Sequence, residues 1–437
     1  MRPMFFWKIY PNSIPIRRFD WDFFSESNGG VILKAQSLGK TVLCNTSAAL
    51  VFQECDGKRS VSDIIYELSE RFPIAKAEIK NDVISGLRQL SKLGVIDLRR
   101  NSQNLSKEAR SALNIAVNAE TEYWRSSDGW SPSELLTFAQ KHNFIAFTIK
   151  NGDTTFEWNG HEHGRPKVLR KFLHQVAVRE PSLKGTFVVS ADDGMYKSKH
   201  RFPVLTCSKA QNDSKSMVLI PDFYYMAGYD ALSKRIETAI QKYPWQNKTD
   251  LGIWRGSPTG GVSIKENWGE LPRTRLCLWA KQQPELVDAK LVNFAQCSES
   301  ATEPIAAASI IGERLGEEEQ IAYKYLLNMD GNSCSWAGSW WKLLSNSLMI
   351  QVYGDVEPKN GHKWMQWYHH WLNENEHYIS CELDGLESKM NWARENDVQC
   401  SDIAARASDF VKEYLNRDMG IAYTALLLKR LSKMEKQ

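Results

Sequence analysis

From about residue 131 onward the chain repeats one local pattern: a short apolar stretch suited to a buried strand, a polar or glycine-bearing loop, then a helical period. Ser131-Pro132-Ser133-Glu134 opens a helix, with a serine cap, a proline in the first turn and a glutamate three residues on. Residues 144–149 and 154–158 flank Asn151-Gly152 as a hairpin. Further strands are predicted at 187–190, 217–220, 252–254, 291–294 and 347–352, with helical stretches between them. Alternation sustained over some 300 residues predicts an α/β architecture, most simply two Rossmann-like halves.

The first hundred residues follow another rule. Apolar bursts at 18–24, 31–35 and 41–44 are separated by turn signals at Asn28-Gly29-Gly30 and Leu38-Gly39-Lys40. Three helices are predicted next, at 47–55, at 60–71 behind a capping-box-like Ser60 and Asp63, and at 76–93. The last carries Ile79, Val83, Ile84, Leu87, Leu90 and Leu93 as one stripe, and Gly94 stops it. A three-stranded meander with three helices is a small α+β, winged-helix-like unit. The expected domains are 1–100, a polar linker at 101–110, and two halves at 111–242 and 243–437.

Composition narrows the class. A length of 437 residues suggests two to three domains, and a formal charge of +3 spread along the chain argues against a nucleic-acid surface. The 8 cysteines form no C-x-x-C pair, so neither a zinc site nor a disulfide scaffold is expected. Residues 1–10 lack a cleavable signal pattern, and no apolar run has membrane-spanning length, so a cytoplasmic protein without membrane insertion is expected. The 16 tryptophans suit core packing and flat sugar-stacking walls.

In open α/β sheets ligands sit beyond the carboxyl ends of strands. After Ile253 comes Trp254-Arg255-Gly256-Ser257-Pro258-Thr259-Gly260-Gly261. Its glycines expose backbone N–H groups, its hydroxyls donate, and Arg255 offers a planar fork for phosphate or carboxylate. An ordinary turn with an exposed arginine would read the same. After Val189 come Asp192 and Asp193, carboxylates placed for general-base work, although Asp-Asp-Gly is also an ordinary turn. Asp20-x-Asp22 falls in the small N-terminal sheet and reads as a solvated strand face. His161-Glu162-His163 has no partner cluster for a metal.

Two resemblances cover most of the chain. Thr41-Val-Leu-Cys-Asn-Thr-Ser-Ala-Ala-Leu, Cys55-Asp-Gly-Lys-Arg-Ser-Val and Lys92-Leu-Gly-Val-Ile resemble the PqqD-like domains. That family recognises leader peptides of ribosomally made, post-translationally modified peptides, adding the leader as a strand beside the third strand and against the third helix. The resemblance implies main-chain pairing along Lys40, Thr41, Val42, Leu43 and Cys44, through to Asn45. It implies a groove wall on the exposed side of the third helix, at Val83, Leu87 and Leu90.

The remainder resembles glycosyltransferase family 90, which includes protein O-glucosyltransferases and bacterial and fungal polysaccharide enzymes. The likeness runs through Tyr243-Pro-Trp245, Trp254-Arg-Gly-Ser-Pro-Thr259, Arg273-Thr-Arg-Leu276 and Pro284-Glu-Leu-Val-Asp-Ala289. It continues in Tyr323-Lys-Tyr-Leu-Leu-Asn-Met-Asp-Gly331, Leu344-Ser-Asn-Ser-Leu348 and His377-Tyr-Ile379. It implies a GT-B fold, an inverting mechanism, a UDP-sugar donor of hexose type, and neither a resident cofactor nor an obligatory metal. By the same matching Arg255, Gly256, Ser257, Thr259 and Arg273 contact the donor, with Lys324, Ser335 and Lys342 in support. Asp192 is the first choice of base and Asp193 the second. The family's Ser-Phe-Arg is replaced here by Ser335-Trp336-Ala337, and Lys342 or Arg273 is the expected substitute cation. The combined expectation is a leader-guided transfer of a sugar to a peptide side chain, with the precursor peptide and a nucleotide sugar as partners. The alternatives are a saccharide acceptor or a non-catalytic peptide-binding scaffold.

Overall fold

The structure is a computed structural model that describes residues 13–17, 22–25, 31–35, 40–57, 59, 61–100, 105–150, 153–158, 164–194, 200–211, 215–354 and 363–436. Asp20, Asn151-Gly152 and His161-Glu162-His163 lie outside the described residues. The chain divides into two compact units at residues 110 and 111, close to the expected linker.

In the first unit β1 (Ser13–Arg17), β2 (Asp22–Ser25), β3 (Val31–Ala35) and β4 (Lys40–Cys44) lead into α1 (Thr46–Glu54), α2 (Val61–Arg71), α3 (Lys76–Lys92) and β5 (Ile96–Arg100). The expected meander is β2-β3-β4. Its inner face and the three helices enclose Leu33, Val51, Phe52, Ile64, Val83, Leu87 and Leu90. Asn45 caps α1 by accepting from the Ala48 N–H at 2.8 Å. The sequence gives no warning of β1, which pairs antiparallel with β5. Pro15 breaks its strand signature, and a two-strand ribbon tolerates the missing donor because one side of each strand needs no partner.

The second unit begins with α4 (Lys107–Thr121), of which residues 111–121 belong to it, and α5 (Pro132–His142). Then follow β6 (Ile145–Lys150), β7 (Asp153–Glu157), α6 (Arg165–Arg179), β8 (Gly185–Val189), β9 (Val204–Thr206), β10 (Lys209–Ala210), β11 (Met217–Leu219), α7 (Phe223–Ala227) and α8 (Asp230–Lys242). The capping box at Ser131 and Glu134 forms as expected. These strands make a sheet of order β11-β9-β8-β6-β7. Only β8, β9 and β11 run parallel, while β6 runs against both neighbours, a departure from a Rossmann-like half.

The chain continues as β12 (Thr249–Gly256), α9 (Pro272–Gln282), β13 (Val287–Leu291), α10 (Glu299–Ala307), α11 (Glu317–Gln320), β14 (Tyr323–Asn328), α12 (Trp336–Leu344), β15 (Leu348–Tyr353), β16 (Trp364–Met365) and β17 (Ile379–Glu382). It closes with α13 (Leu386–Glu395), α14 (Asp397–Tyr414) and α15 (Arg417–Ser432). The second sheet is wholly parallel, in the order β13-β12-β14-β15-β17. Its edge strand β13 lies about four residues before the apolar run 291–294 read from sequence. An edge strand is buried on alternate positions, and Val287, Ala289 and Leu291 are the buried ones.

Two features join the sheets. The short strands β10 and β16 pair antiparallel, and the Gln211 N–H donates to the Lys363 carbonyl at 2.8 Å. The C-terminal helix α15, expected with the second half, packs on the first instead. Arg179 pairs with Asp418 at 2.8 Å, and the Tyr423 hydroxyl donates to the Leu219 carbonyl at 2.9 Å.

Candidate active site

The order of the second sheet places a topological switch point between β12 and β14, because the chain leaves β12 for β13 on one side and returns to β14 on the other. The carboxyl ends of those two strands open a crevice where ligands collect in such sheets. One side chain spans it. Arg273, in the first turn of α9, donates through Nη1 to the Ser257 carbonyl at 3.0 Å and to Thr259 Oγ1 at 2.7 Å. It also donates through Nη2 to the Met329 carbonyl at 2.9 Å and through Nε to the Asp330 carbonyl at 3.2 Å. Burial pulls its pKa down to about 10 against the opposing charge of Asp330. Gly331 makes this approach possible, since a Cβ there would stand 2.9 Å from Arg273 Nη2. Arg273 therefore fixes the crevice and sets a positive local field there.

Asp330, just past β14, is the residue that sequence reasoning passed over. Burial raises its carboxyl to about 6, against the pull of Arg273 and a hydrogen bond from the Ser335 N–H. That N–H, at the start of α12, reaches Oδ1 at 3.3 Å. Beneath it Lys342 Nζ donates to Asn328 Oδ1 at 2.8 Å, while Asn328 Nδ2 donates to Gln351 Oε1 at 2.6 Å and to Ser339 Oγ at 3.1 Å. Burial first, and Arg273 second, pull the Lys342 ammonium down to about 7. A cavity of about 200 Å³ lies against this network, with Asp330, Ser339, Gln351, Tyr353, Trp364 and Tyr378 in its wall. An open depression near Asp397 and Arg406 is larger, at about 520 Å³. It lies at the amino end of the strands, where Asp397 is engaged by Lys324 at 2.6 Å.

The opposite wall comes from the loop after β8. Asp192 is exposed and accepts from the Ser190 hydroxyl at 3.0 Å. Asp193 is paired with Arg165 of α6, which also donates to the Ala191 carbonyl at 2.8 Å. The Arg165 guanidinium stacks on Phe223 at 5.5 Å and on Trp336 of α12 at 5.1 Å, so it touches both halves. Asn332 bridges the walls, accepting from the Gly260 N–H at 3.0 Å and pointing Nδ2 at Asp193 Oδ2 at 3.4 Å. At Gly194 a Cβ would lie 2.8 Å from the Trp364 ring and 2.9 Å from Ser333, so only glycine lets the walls meet this closely.

The structure thus gathers Asp193, Ser257, Thr259, Arg273, Ser335 and Lys342 around one crevice. It does not bring Arg255 there as a free cation: the guanidinium pairs with Asp288 at 2.6 Å and donates to the carbonyls of Trp254, Asp288 and Glu313. Lys324 is the second residue of β14, at the end of the strand remote from the crevice, and its pairing with Asp397 and stacking on Trp245 make it a structural tie. Lys342 is buried under the crevice floor, so it does not substitute for a surface cation. Ser257 Oγ is held by Asn293 Nδ2 at 2.9 Å. Among the described residues no cluster of His, Cys, Asp or Glu is arranged to hold a metal.

In the first unit β4 pairs only with β3 among the described residues, which leaves it as an edge. Phe24, Ile32 and Leu43 stand in register across the outer face of the sheet, with Leu43 70% exposed. Val83, Leu87 and Leu90 do not form a groove wall, because their stripe on α3 faces the core and all three are buried. The sequence stripe marked the core side, and the exposed side of the helix is polar apart from Ala77 and the half-buried Ile84.

Residues 188–437 match the model of glycosyl transferase family 90, and residues 29–96 match that of coenzyme PQQ synthesis protein D (PqqD). The chain belongs to glycosyltransferase family 90. The family match spans the Asp192-Asp193 loop, Arg273 and Asp330 together, and the PqqD match precedes it, which bears out the expected fusion. The chain is 27% identical to O-glucosyltransferase rumi of Drosophila melanogaster over 211 residues, 47% of this chain and 46% of that protein. It is 24% identical to protein O-glucosyltransferase 2 of Danio rerio over 325 residues, 69% of this chain and 58% of that protein. The uncharacterized protein 179R of Invertebrate iridescent virus 6 is 25% identical over 209 residues, 43% of this chain and 17% of that protein. The chain therefore spans between 17% and 58% of the length of these relatives. Among solved structures, Anabaena Alr3699/HepE in complex with UDP-glucose aligns with a TM-score of 0.35 at 12% identity, covering 60% of this chain and 76% of that one. A glycosyltransferase from Rickettsia africae ESF-5 aligns with a TM-score of 0.36 at 11% identity, covering 79% and 87%. Both scores lie below the level at which a shared fold follows.

Proposed function

We propose that this chain transfers a hexose from a UDP-sugar to a side chain of a ribosomally made peptide, with inversion, in a GT-B-like arrangement of its two sheets. The observation that carries the proposal is the crevice at the β12–β14 switch point, within the family 90 match, faced by a carboxylate loop from the other sheet.

Single-displacement transfer needs one base on the acceptor side and stabilisation of the leaving diphosphate on the other. Asp193 suits the first task better than Asp192. Arg165 and Asn332 fix Asp193 toward the second sheet, while Asp192 is turned to its own Ser190. In this reading Asp193 takes the proton from the acceptor side chain as that atom attacks the anomeric carbon from the face opposite the diphosphate. The first-turn N–H groups of α12 and the field of Arg273 offset charge developing on the leaving group. No metal is required by these steps.

The PqqD-like unit supplies the acceptor. A leader peptide added beside β4 would satisfy its outward N–H and C=O groups and cover Leu43. Tethering raises the effective concentration of a weakly bound core peptide. The test is UDP release by the full chain with a UDP-hexose and a candidate precursor peptide. Peptide-dependent release that Asp193→Asn abolishes, with leader binding retained, supports the reading. Undiminished release in that variant removes Asp193 from the mechanism.

A further inference from the structure

We propose that Trp336 is a positioning residue for the transfer: its ring, on the second half, sets the Arg165 guanidinium, which aims the Asp193 carboxylate on the first. This rests on the reading of Asp193 as the base and adds what brings that base into register with the other half.

Asp193 depends on outside support. It sits in the loop after β8, where its neighbour Asp192 is engaged with Ser190 instead. Arg165 holds one of its carboxylate oxygens, and Asn332 Nδ2 stands 3.4 Å from the other. The Arg165 and Asp193 side chains are 39% and 42% exposed, and an ion pair so open to water orients little unless its cation is anchored. Three contacts anchor it. Arg165 Nη1 donates to the Ala191 carbonyl at 2.8 Å, and the guanidinium lies 5.5 Å from the Phe223 ring and 5.1 Å from the Trp336 ring. The first two belong to the same half as Asp193. The third, Trp336, comes from the other.

Trp336 is placed for this contact. It opens α12, is buried, and meets the rings of Phe223 at 6.0 Å and Tyr224 at 5.9 Å besides Arg165. All three of those side chains lie on the first half. Its Nε1 is buried without a hydrogen-bond partner among the described residues, so ring packing alone holds the side chain. A guanidinium over an indole is attracted to the negative face of the ring, and that attraction fixes the cation's place. The same helix is capped by Ser335 and carries Lys342 under the crevice floor, so the ring moves with the donor side. The base is therefore aimed when the halves are together. A shift of α12 by about 1 Å would carry that aim away, a misplacement that costs on the order of 10²-fold in rate.

The test is steady-state transfer by the full chain with a panel of UDP-hexoses and the precursor peptide encoded beside this protein, alongside calorimetric binding of UDP. The variants are Trp336→Leu, Trp336→Phe, Arg165→Gln, Arg165→Lys, the Arg165→Gln/Trp336→Leu double variant and Asp193→Asn. The proposal predicts that Trp336→Leu and Arg165→Gln each lower kcat about 10–100-fold, with donor KM and UDP affinity within about twofold of wild type. The double variant falls no further than Arg165→Gln alone, because the two residues act in series. Trp336→Phe, which keeps a ring face, recovers most of the loss. Arg165→Lys stays as slow as Arg165→Gln, since an ammonium lacks the planar fork that reaches Asp193 and the Ala191 carbonyl together. Unchanged UDP binding reports an intact fold. If Trp336→Leu does not bind UDP, Arg165→Lys decides, and a rate equal to wild type overturns the proposal. Losses that multiply in the double variant, a loss of UDP affinity as large as that in kcat, or full-rate single variants beside an inactive Asp193→Asn also overturn it and leave the base reading standing. Asp193→Asn as active as wild type, or no transfer by wild type, overturns that reading and this proposal with it.

Discussion

Lys342→Met gives a stability change whose size and pH dependence follow from the crevice floor. The ammonium is buried on α12, hydrogen-bonded to Asn328, and pulled down to about 7 from an ordinary value of 10.5. A depression of this size corresponds to a penalty of about 5 kcal/mol for holding the charge in the folded state. The folded pKa lies below the unfolded one, so between about pH 7 and 10.5 the unfolded chain binds more protons and stability rises with pH. Below pH 7 the penalty is felt in full. Methionine has similar length and no charge, so the variant escapes the penalty while losing one hydrogen bond worth about 1 kcal/mol. The variant should therefore be more stable than wild type at pH 6, and the advantage should shrink by about 2–3 kcal/mol by pH 9. Loss of the Lys342 charge also raises Asp330, which acts in the same direction. Urea unfolding followed by tryptophan fluorescence, with both proteins at each pH, reads the difference, since Trp336, Trp340 and Trp341 share the helix. A pH-independent difference would refute the argument, because it would mean that Lys342 titrates alike folded and unfolded.

Other consequences are more local. Asp193→Asn should lower peptide-dependent turnover about 10²–10⁴-fold, while Asp192→Asn should stay within tenfold of wild type; the reverse order in steady-state assays would return the base to Asp192. Gly331→Ala should destabilise by about 1–3 kcal/mol, because its Cβ would crowd Arg273, and a melting temperature equal to wild type would contradict the packing described. Leu43→Asp should cost little stability, being at an exposed site, yet weaken leader binding measured by fluorescence anisotropy. An unaltered leader affinity would move the peptide away from β4.

The fold was legible where local signals and burial agree. Ile79, Val83, Leu87 and Leu90 announced α3, and Ser131 with Glu134 announced α5, because capping and periodicity are written in neighbouring residues. The same stripe misled about function, since it marks the buried side of α3 and says nothing of what the other side binds. The site was half legible. Ser257 and Thr259, in the run after β12, do face the crevice, but the partner of each cation depends on contacts distant in sequence. Asp288 lies 33 residues from Arg255, and Asp397 lies 73 from Lys324, and no local pattern marks either pairing. Asp330 stood in a motif matched to the family and still went unremarked. Its raised carboxyl comes from burial beside Arg273, which only the sheet topology brings about.

The central claim is leader-guided sugar transfer to a peptide. Intact-mass analysis of a precursor peptide encoded beside this protein, incubated with the full chain and a panel of UDP-sugars, tests it most directly. The account predicts a gain of one hexose, lost when the leader is deleted from the peptide. Donor hydrolysed with the peptide mass unchanged, or a gain indifferent to the leader, would contradict it.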